Sequence, residues 1–168
     1  LAKFLRDVPD FPKPGILFKD ITPLLASPPA MAETIARFAR LDVGRVDKVA
    51  AIESRGFLFG APLAMKLGVG FVPIRKPGKL PWKTNRVEYV LEYGKDAVEI
   101  HQDAVKKGER VLLVDDLLAT GGTMGAACQL VESCGGVVAA CAFVVELCFL
   151  PGRQRLGSRR VEALIAVR

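Results

Sequence analysis

The sequence has no apolar run approaching the roughly 20 residues that a membrane-spanning helix needs, so no span is expected. Its first residues, Leu1-Ala2-Lys3-Phe4-Leu5-Arg6-Asp7, have neither the apolar stretch nor the small-residue cleavage site of a secretory leader. The four cysteines, Cys128, Cys134, Cys141 and Cys148, contain no C-x-x-C pair. With a single histidine, His101, they offer no zinc-type cluster. Free, buried thiols in a reducing compartment are expected, and the chain reads as cytoplasmic. The G-K-[ST] of a Walker loop and the G-x-G-x-x-G dinucleotide fingerprint are both missing, and there are no internal repeats or low-complexity tracts.

What is present is a chain of 168 residues, 51% hydrophobic and 25% charged. That much apolar material can offset the entropy of ordering, which excludes a disordered chain. One domain spanning residues 1–168 is expected at this length. Lys and Arg number 24 against 18 Asp and Glu, a net charge of +6. This balance favours anionic partners; phosphate-bearing small molecules, nucleic acids and a merely solvated basic surface all satisfy it.

Pro9, Pro12, Pro14, Pro23, Pro28 and Pro29 make residues 1–29 an extended, turn-rich lead-in with room for one short helix. A helical pattern follows from Ala30 to Leu41, then a strand over Val46–Ile52. Phe57 to Leu67 read as a helix closed by Gly68, and Phe71–Ile74 as a strand. Residues 75–86 are basic and broken by Pro77, Gly78 and Pro81, the pattern of a long functional loop. Val87–Tyr93 and Ala97–Ile100 suggest a hairpin turning at Gly94-Lys95-Asp96. Arg110–Val114, Val137–Val145 and Val161–Val167 read as strands, with a helix over Thr123–Cys134. Strands alternating with helices predict an α/β fold, a mainly parallel sheet flanked by helices, whose ligands bind beyond the carboxyl ends of the strands. Residues 53–56, 75–86 and 115–123 are the loops expected there.

The third loop carries the chemistry. In Val111-Leu112-Leu113-Val114-Asp115-Asp116-Leu117-Leu118-Ala119-Thr120-Gly121-Gly122-Thr123, a buried strand runs into paired acids, a small-residue turn and a helix start. Successive backbone N–H groups, two hydroxyls and the helix dipole together favour an anion. A carboxylate beside a phosphate cradle would repel the phosphate unless it faced hydroxyls, a cation or both, because an ionised acid only accepts hydrogen bonds. A 5-phosphorylated ribose satisfies both halves, with its phosphate on the turn and its 2′- and 3′-hydroxyls on Asp115 and Asp116. The plainer alternative is a capped helix after a solvated surface turn.

Asp115 to Thr123 resembles the phosphoribosyl-pyrophosphate motif of the type I phosphoribosyltransferase family. Further blocks resemble the branch of that family acting on adenine: Phe11 to Pro23, Glu53-Ser54-Arg55-Gly56-Phe57, Ile74 to Pro81, and Leu91-Glu92-Tyr93-Gly94. They cover the chain from about residue 11 to about residue 150. The diphosphoribosyl motif is shared widely, whereas the F-P-x-P-G, S-R-G-F and L-E-Y-G blocks together are specific to that branch.

The resemblance implies a purine salvage transferase that moves ribose 5-phosphate from phosphoribosyl pyrophosphate to N9 of adenine, giving AMP and pyrophosphate. Residues 1–29 would form a small base-binding hood segment, and 75–96 a flexible catalytic loop and hairpin. Asp115, Asp116, Ala119, Thr120, Gly121, Gly122 and Thr123 would hold ribose 5-phosphate. Ser54, Arg55, Arg75, Lys76 and Lys79 would meet pyrophosphate, with Lys83 adding charge, and the loop's basic start reaching a neighbouring subunit. Glu92, Tyr93 and Arg55 take the catalytic roles, Tyr93 excluding water and Glu92 steering the purine. Leu17, Phe18 and Lys19 match the adenine-binding segment, with Lys19 standing where the family more often has Arg. Magnesium is implied on the pyrophosphate, with no metal ligand directly from the protein. A homodimer is implied, with no nucleic acid or membrane partner. His101 is read as a surface or cap residue. Two alternatives are a phosphoribosyltransferase for a 6-oxopurine, which would share Asp115 to Thr123 but not the Pro-rich lead-in, and a non-enzymatic regulator that senses phosphoribosyl pyrophosphate.

Overall fold

The structure is a computed structural model describing residues 1–91 and 94–168. Its central layer is a parallel sheet of five strands: β3 (Lys48–Ile52), β4 (Gly70–Ile74), β7 (Arg110–Leu118), β8 (Val137–Leu147) and β9 (Val161–Val167), in the order β4-β3-β7-β8-β9. Side chains alternate across it, as the two-residue period of a strand requires. Ala50, Ile52, Val111, Leu113, Cys141 and Phe143 face one core. Val49, Ala51, Leu112, Val114, Ala140 and Ala142 face the other. Because both faces are covered, the strands read as continuous apolar runs.

Helices α2 (Pro28–Ala39) and α3 (Arg55–Leu67) cover the second core. There Phe38 and Phe59 meet edge to face at 6.5 Å. Each is fully buried, and burial of such a side chain is worth about 1.5–3 kcal/mol. Helix α2 starts at Pro28, earlier than Ala30. The Ser27 hydroxyl caps it by accepting from the Ala30 N–H at 3.4 Å, and prolines without an N–H suit the first turn. Helix α3 ends as expected at Gly68, φ +69°, in the left-handed conformation.

Helix α4 (Gly122–Ser133) packs on the first core together with an antiparallel hairpin of β5 (Thr84–Leu91) and β6 (Gly94–His101). The hairpin differs from expectation in register. Gly94, Lys95 and Asp96 are not its turn but strand residues, paired with Leu91, Val90 and Tyr89. The basic loop is shortened by the same extension, because Thr84 to Arg86 already belong to β5. A backbone bridge joins the hairpin to the end of β4: Arg75 N–H donates to Glu99 O at 3.0 Å and Glu99 N–H to Arg75 O at 2.7 Å.

The lead-in is more ordered than its prolines suggest. β1 (Arg6–Pro9) and β2 (Leu17–Asp20) pair antiparallel ahead of the single-turn α1 (Thr22–Leu25). Asp20 ties the two parts by accepting from the Thr22 N–H at 2.8 Å and pairing with Arg6 at 2.9 Å. Both contacts, the Thr22 donation first, hold its carboxyl below the usual range. Of the cysteines, only Cys128 and Cys141 are buried; Cys134 is half-buried and Cys148 exposed. Among the described residues no helix is long and apolar enough to cross a membrane.

Candidate active site

In a sheet of this order the chain leaves β3 to one side, toward β4, and leaves β7 to the other, toward β8, so a crevice opens between the carboxyl ends of β3 and β7. Their registers bring Ala51 beside Val114, which sets the segment after Ile52 against Asp115 and Asp116. The two acids lie within β7 rather than in a loop after it. Asp115 pairs with Phe143 of β8, and the strand runs on to Leu118. The chain then turns through Ala119–Gly121 into α4, where Gly121 (φ +79°) stands at the N-cap in a backbone shape that favours glycine. The first-turn N–H groups of such a helix have no partner within it and point outward.

Two adjoining clefts result. One, of about 180 Å³, is lined by Arg55, Asp115, Asp116 and the whole turn from Ala119 to Thr123, with Phe143 among its walls. The second, of about 390 Å³, is lined by Glu53, Ser54, Arg55, Lys76, Tyr89 and Asp96 together with Asp115, Asp116 and Thr123. Arg55, Asp115, Asp116 and Thr123 line both.

The carboxyl pair is asymmetric. Asp116 is buried and meets Arg55, Nε to Oδ2 at 2.6 Å. Asp115 accepts the Asp116 N–H at 2.9 Å, and burial pushes its pKa well up, with the charge of Asp116 adding to the effect. Gly56, at the start of α3, is what allows this approach: a Cβ there would stand 3.0 Å from Asp115 Oδ1 and 3.1 Å from Val114 O.

At the β4 edge the basic residues are already engaged. Arg75 pairs with Glu53 through Nε at 3.0 Å and a terminal nitrogen at 2.9 Å, and donates to the Lys79 carbonyl at 3.2 Å. Burial alone would raise the Glu53 pKa, but the Lys76 N–H and the Arg75 guanidinium hold it below the usual carboxylate range. The Lys76 ammonium sits between Asp96, an ion pair, and the Tyr89 hydroxyl at 3.1 Å. Partial burial works against its charge, yet those two partners hold its pKa above the ordinary lysine value.

Of the residues singled out in the sequence, Ser54, Arg55, Lys76, Asp115, Asp116 and Ala119 to Thr123 therefore share the two clefts. Arg75 and Lys79 line neither. Leu17, Phe18 and Lys19 also line neither; they lie on β2. There Phe18 meets Phe11 edge to face at 5.2 Å, and the Lys19 ammonium pairs with Asp7 at 2.6 Å. Glu92 and Tyr93 lie outside the described residues. Glu53, Tyr89 and Asp96 were missed. Glu53 opens a recognised block without being assigned a role, and Tyr89 and Asp96 stand two residues from another, but the partner of each is 7 to 23 residues away along the chain. Only the pairing of strands brings them together. His101 keeps a modest role, its Nε2 accepting the Trp82 backbone N–H at 3.3 Å.

A parallel sheet that presents paired aspartates and a glycine turn at its switch point has the fold and site of the type I phosphoribosyltransferases. A model of the phosphoribosyl transferase domain matches residues 24–156. An adenine phosphoribosyltransferase of Chloroflexus aurantiacus is 58% identical over 166 residues, spanning 98% of this chain and 96% of that protein. The crystal structure of the adenine phosphoribosyltransferase of Thermoanaerobacter pseudethanolicus superposes with a TM-score of 0.96 at 55% identity, over 99% of this chain and 97% of that one. That of Saccharomyces cerevisiae, complexed with adenine and an imino-altritol bisphosphate, gives 0.93 at 42% identity, over 98% and 96%. The chain belongs to the adenine phosphoribosyltransferase family.

Proposed function

We propose that the chain transfers ribose 5-phosphate from phosphoribosyl pyrophosphate to N9 of adenine, releasing AMP and pyrophosphate, a purine salvage reaction. The observation that carries this is the meeting of Asp115, Asp116 and Arg55 with the Ala119–Thr123 turn in one cleft. The turn and the first N–H groups of α4 take the 5-phosphate, and the two acids take the ribose hydroxyls. Arg55 stands beside the same acids, with Ser54 and Lys76 in the adjoining cleft for the pyrophosphate.

Displacement at the anomeric carbon passes through an oxocarbenium-like state in which the leaving pyrophosphate gains negative charge. Cations fixed in advance around that charge stabilise the transition state more than the ground state. Arg55 and Lys76 supply them, each held by a carboxylate, Asp116 and Asp96, that exchanges its partner when substrate arrives. Magnesium would enter with the pyrophosphate and offset part of its charge, held as a hard cation by phosphate oxygens and water, with no ligand directly from the protein. Among the described residues no group of three or more His, Cys, Asp or Glu side chains could hold a metal unaided.

Leu17 and Phe18 offer an apolar surface for adenine. The Lys19 charge is engaged by Asp7, which leaves base recognition to backbone donors and acceptors. Arg75 and Lys79, outside their own clefts, serve a neighbouring subunit's pyrophosphate in a homodimer. Support for that assembly comes from the exposed apolar residues Leu58 and Met65 along α3. Glu92 and Tyr93 keep the roles the family resemblance gives them.

The test is pyrophosphate release from phosphoribosyl pyrophosphate and magnesium with adenine, hypoxanthine, guanine and xanthine in turn. Release with adenine alone, lost in a folded Asp115→Asn/Asp116→Asn variant, is the expected result. Release with a 6-oxopurine instead would overturn the substrate assignment, and binding without turnover of any base would overturn the enzyme.

A further inference from the structure

Behind the phosphate turn lies a structure that the proposed reaction does not use directly. Strand β8 ends at Leu147, and the chain returns through a short helix, α5 (Gly152–Arg155), before β9. The backbone of α5 is pressed against the turn. A Cβ on Gly152 would stand 2.3 Å from the Ala119 carbonyl oxygen and 2.9 Å from Leu118 side-chain atoms, and a Cβ on Gly121 only 2.6 Å from the Gly152 carbonyl oxygen. Two glycines thus meet backbone to backbone at the start of α4, closer than any side chain would permit.

Arg153, the next residue, fixes α5 in that place. Its guanidinium forks onto Glu146, Nε to Oε1 at 2.9 Å and a terminal nitrogen to Oε2 at 2.6 Å, and its other terminal nitrogen donates to the Val161 carbonyl at 2.9 Å. Glu146 is buried and lies on β8 directly beside Leu118 in the sheet register. A fork of two parallel hydrogen bonds sets orientation as well as distance, which a point charge cannot do. The Arg153 bond holds the Glu146 carboxyl below the usual range, so the pair stays ionised at neutral pH. Neither residue lines the two clefts.

We propose that the Glu146–Arg153 pair is a positioning brace for the phosphate turn: it seats Gly152 against Ala119 and Gly121 and so fixes where the N–H groups of Thr120 to Thr123 point. The proposal rests on the reading of that turn as the 5-phosphate site. A pocket for a rigid, doubly charged group gains most from donors fixed before the ligand arrives. Loosening the brace therefore weakens whatever carries the phosphate and spares the base.

The experiment measures ribose 5-phosphate binding by calorimetry, and the KM values for phosphoribosyl pyrophosphate and adenine, in the wild type, Arg153→Met, Arg153→Lys and Glu146→Gln. In Arg153→Met and Glu146→Gln, ribose 5-phosphate binding and the phosphoribosyl pyrophosphate KM should worsen about tenfold, while the adenine KM at saturating co-substrate stays within twofold. Arg153→Lys, with charge but no fork, should recover less than half of the loss on a logarithmic scale. Wild-type protein that does not bind ribose 5-phosphate removes the reading of the turn, and the brace with it. Wild-type binding matched within twofold by all three variants overturns the brace alone. A uniform fall in active fraction, with both KM values unchanged in the protein that remains folded, also overturns it, since that is the mark of a purely structural pair. Arg153→Lys and Glu146→Gln keep the volume of the site, so they report even where Arg153→Met fails to fold.

Discussion

Arg55 and Asp116 meet at 2.6 Å across the carboxyl end of the sheet, one half-exposed at the first turn of α3, the other buried in β7. The guanidinium neutralises a carboxylate that burial would otherwise leave stranded, and in the proposed reaction it also meets the leaving pyrophosphate. Arg55→Met should therefore lower both stability and turnover. We expect kcat/KM for phosphoribosyl pyrophosphate to fall about 10²- to 10³-fold, the usual cost of one transition-state donor. Adding Asp116→Asn to that variant should restore much of the lost melting temperature, because no unpaired buried charge remains, while activity stays low. Thermal unfolding of the two singles and the double tests this. A double variant no more stable than Arg55→Met would mean that the pair does not carry the stability assigned to it.

Asp115 gives a prediction of opposite sign. Burial first, and Asp116 second, raise its pKa in the folded chain above the unfolded value. Folding is then favoured while Asp115 keeps its proton, and this contribution disappears as pH rises through the folded pKa. At neutral pH, where the unfolded chain holds this carboxyl ionised, the raised folded pKa is a cost that Asp115→Asn removes. The variant should melt higher than wild type at pH 7, by about 2–4 °C for each kcal/mol at this chain length, while losing ribose 5-phosphate binding. Below the ordinary carboxylate pKa the difference should vanish, since Asp115 is then neutral in both states. Melting curves from pH 4 to pH 8 check it, and a gain that grew toward acid would contradict the assignment.

The sequence disclosed this site unevenly, for physical reasons. The apolar run Val111–Val114 is unambiguous, because a strand buried on both faces has no polar residue to disguise it. The Asp115–Thr123 turn was legible because one stretch of chain supplies the acids, the glycines and the helix start. The β1–β2 pair was hidden by Pro9, Pro12 and Pro14, which mark a break in any local reading, although Pro9 sits tolerably at the end of an edge strand. Gly94 misled in the same way: a glycine followed by Lys95 and Asp96 imitates a turn, but it pairs with Leu91. The clamps Glu53–Arg75 and Lys76–Asp96 left no local trace, because strand pairing decides which distant residues touch.

Two glycines of the same helix should separate catalysis from packing. Gly60 lies against β3, where an added Cβ would be 2.6 Å from the Ala51 Cβ and 2.9 Å from the Phe71 ring. Gly60→Ala should cost about 1–3 kcal/mol by overpacking and leave both KM values unchanged in the folded fraction. Gly56→Ala crowds Asp115 Oδ1 at 3.0 Å instead, so it should raise the phosphoribosyl pyrophosphate KM. Equal kinetic effects from the two variants would show that the Gly56 approach does not position the acid.

Trp82, the sole tryptophan, is exposed on the basic loop, and the His101 ring holds its backbone N–H at 3.3 Å. Its fluorescence is therefore a private reporter of that loop. If the loop closes over bound substrate, phosphoribosyl pyrophosphate with magnesium should shift the emission to the blue and reduce quenching by iodide, because the indole leaves water. Adenine alone should do neither, since it brings no charge to draw in Lys79 and Lys83. His101→Ala removes the acceptor that anchors the loop's end, so the free protein should be quenched more strongly while the substrate-bound form approaches the wild-type value. Emission and quenching that ignore phosphoribosyl pyrophosphate at saturation would show that the loop stays open, and the work of shielding the reacting centre would then pass to the β5–β6 hairpin.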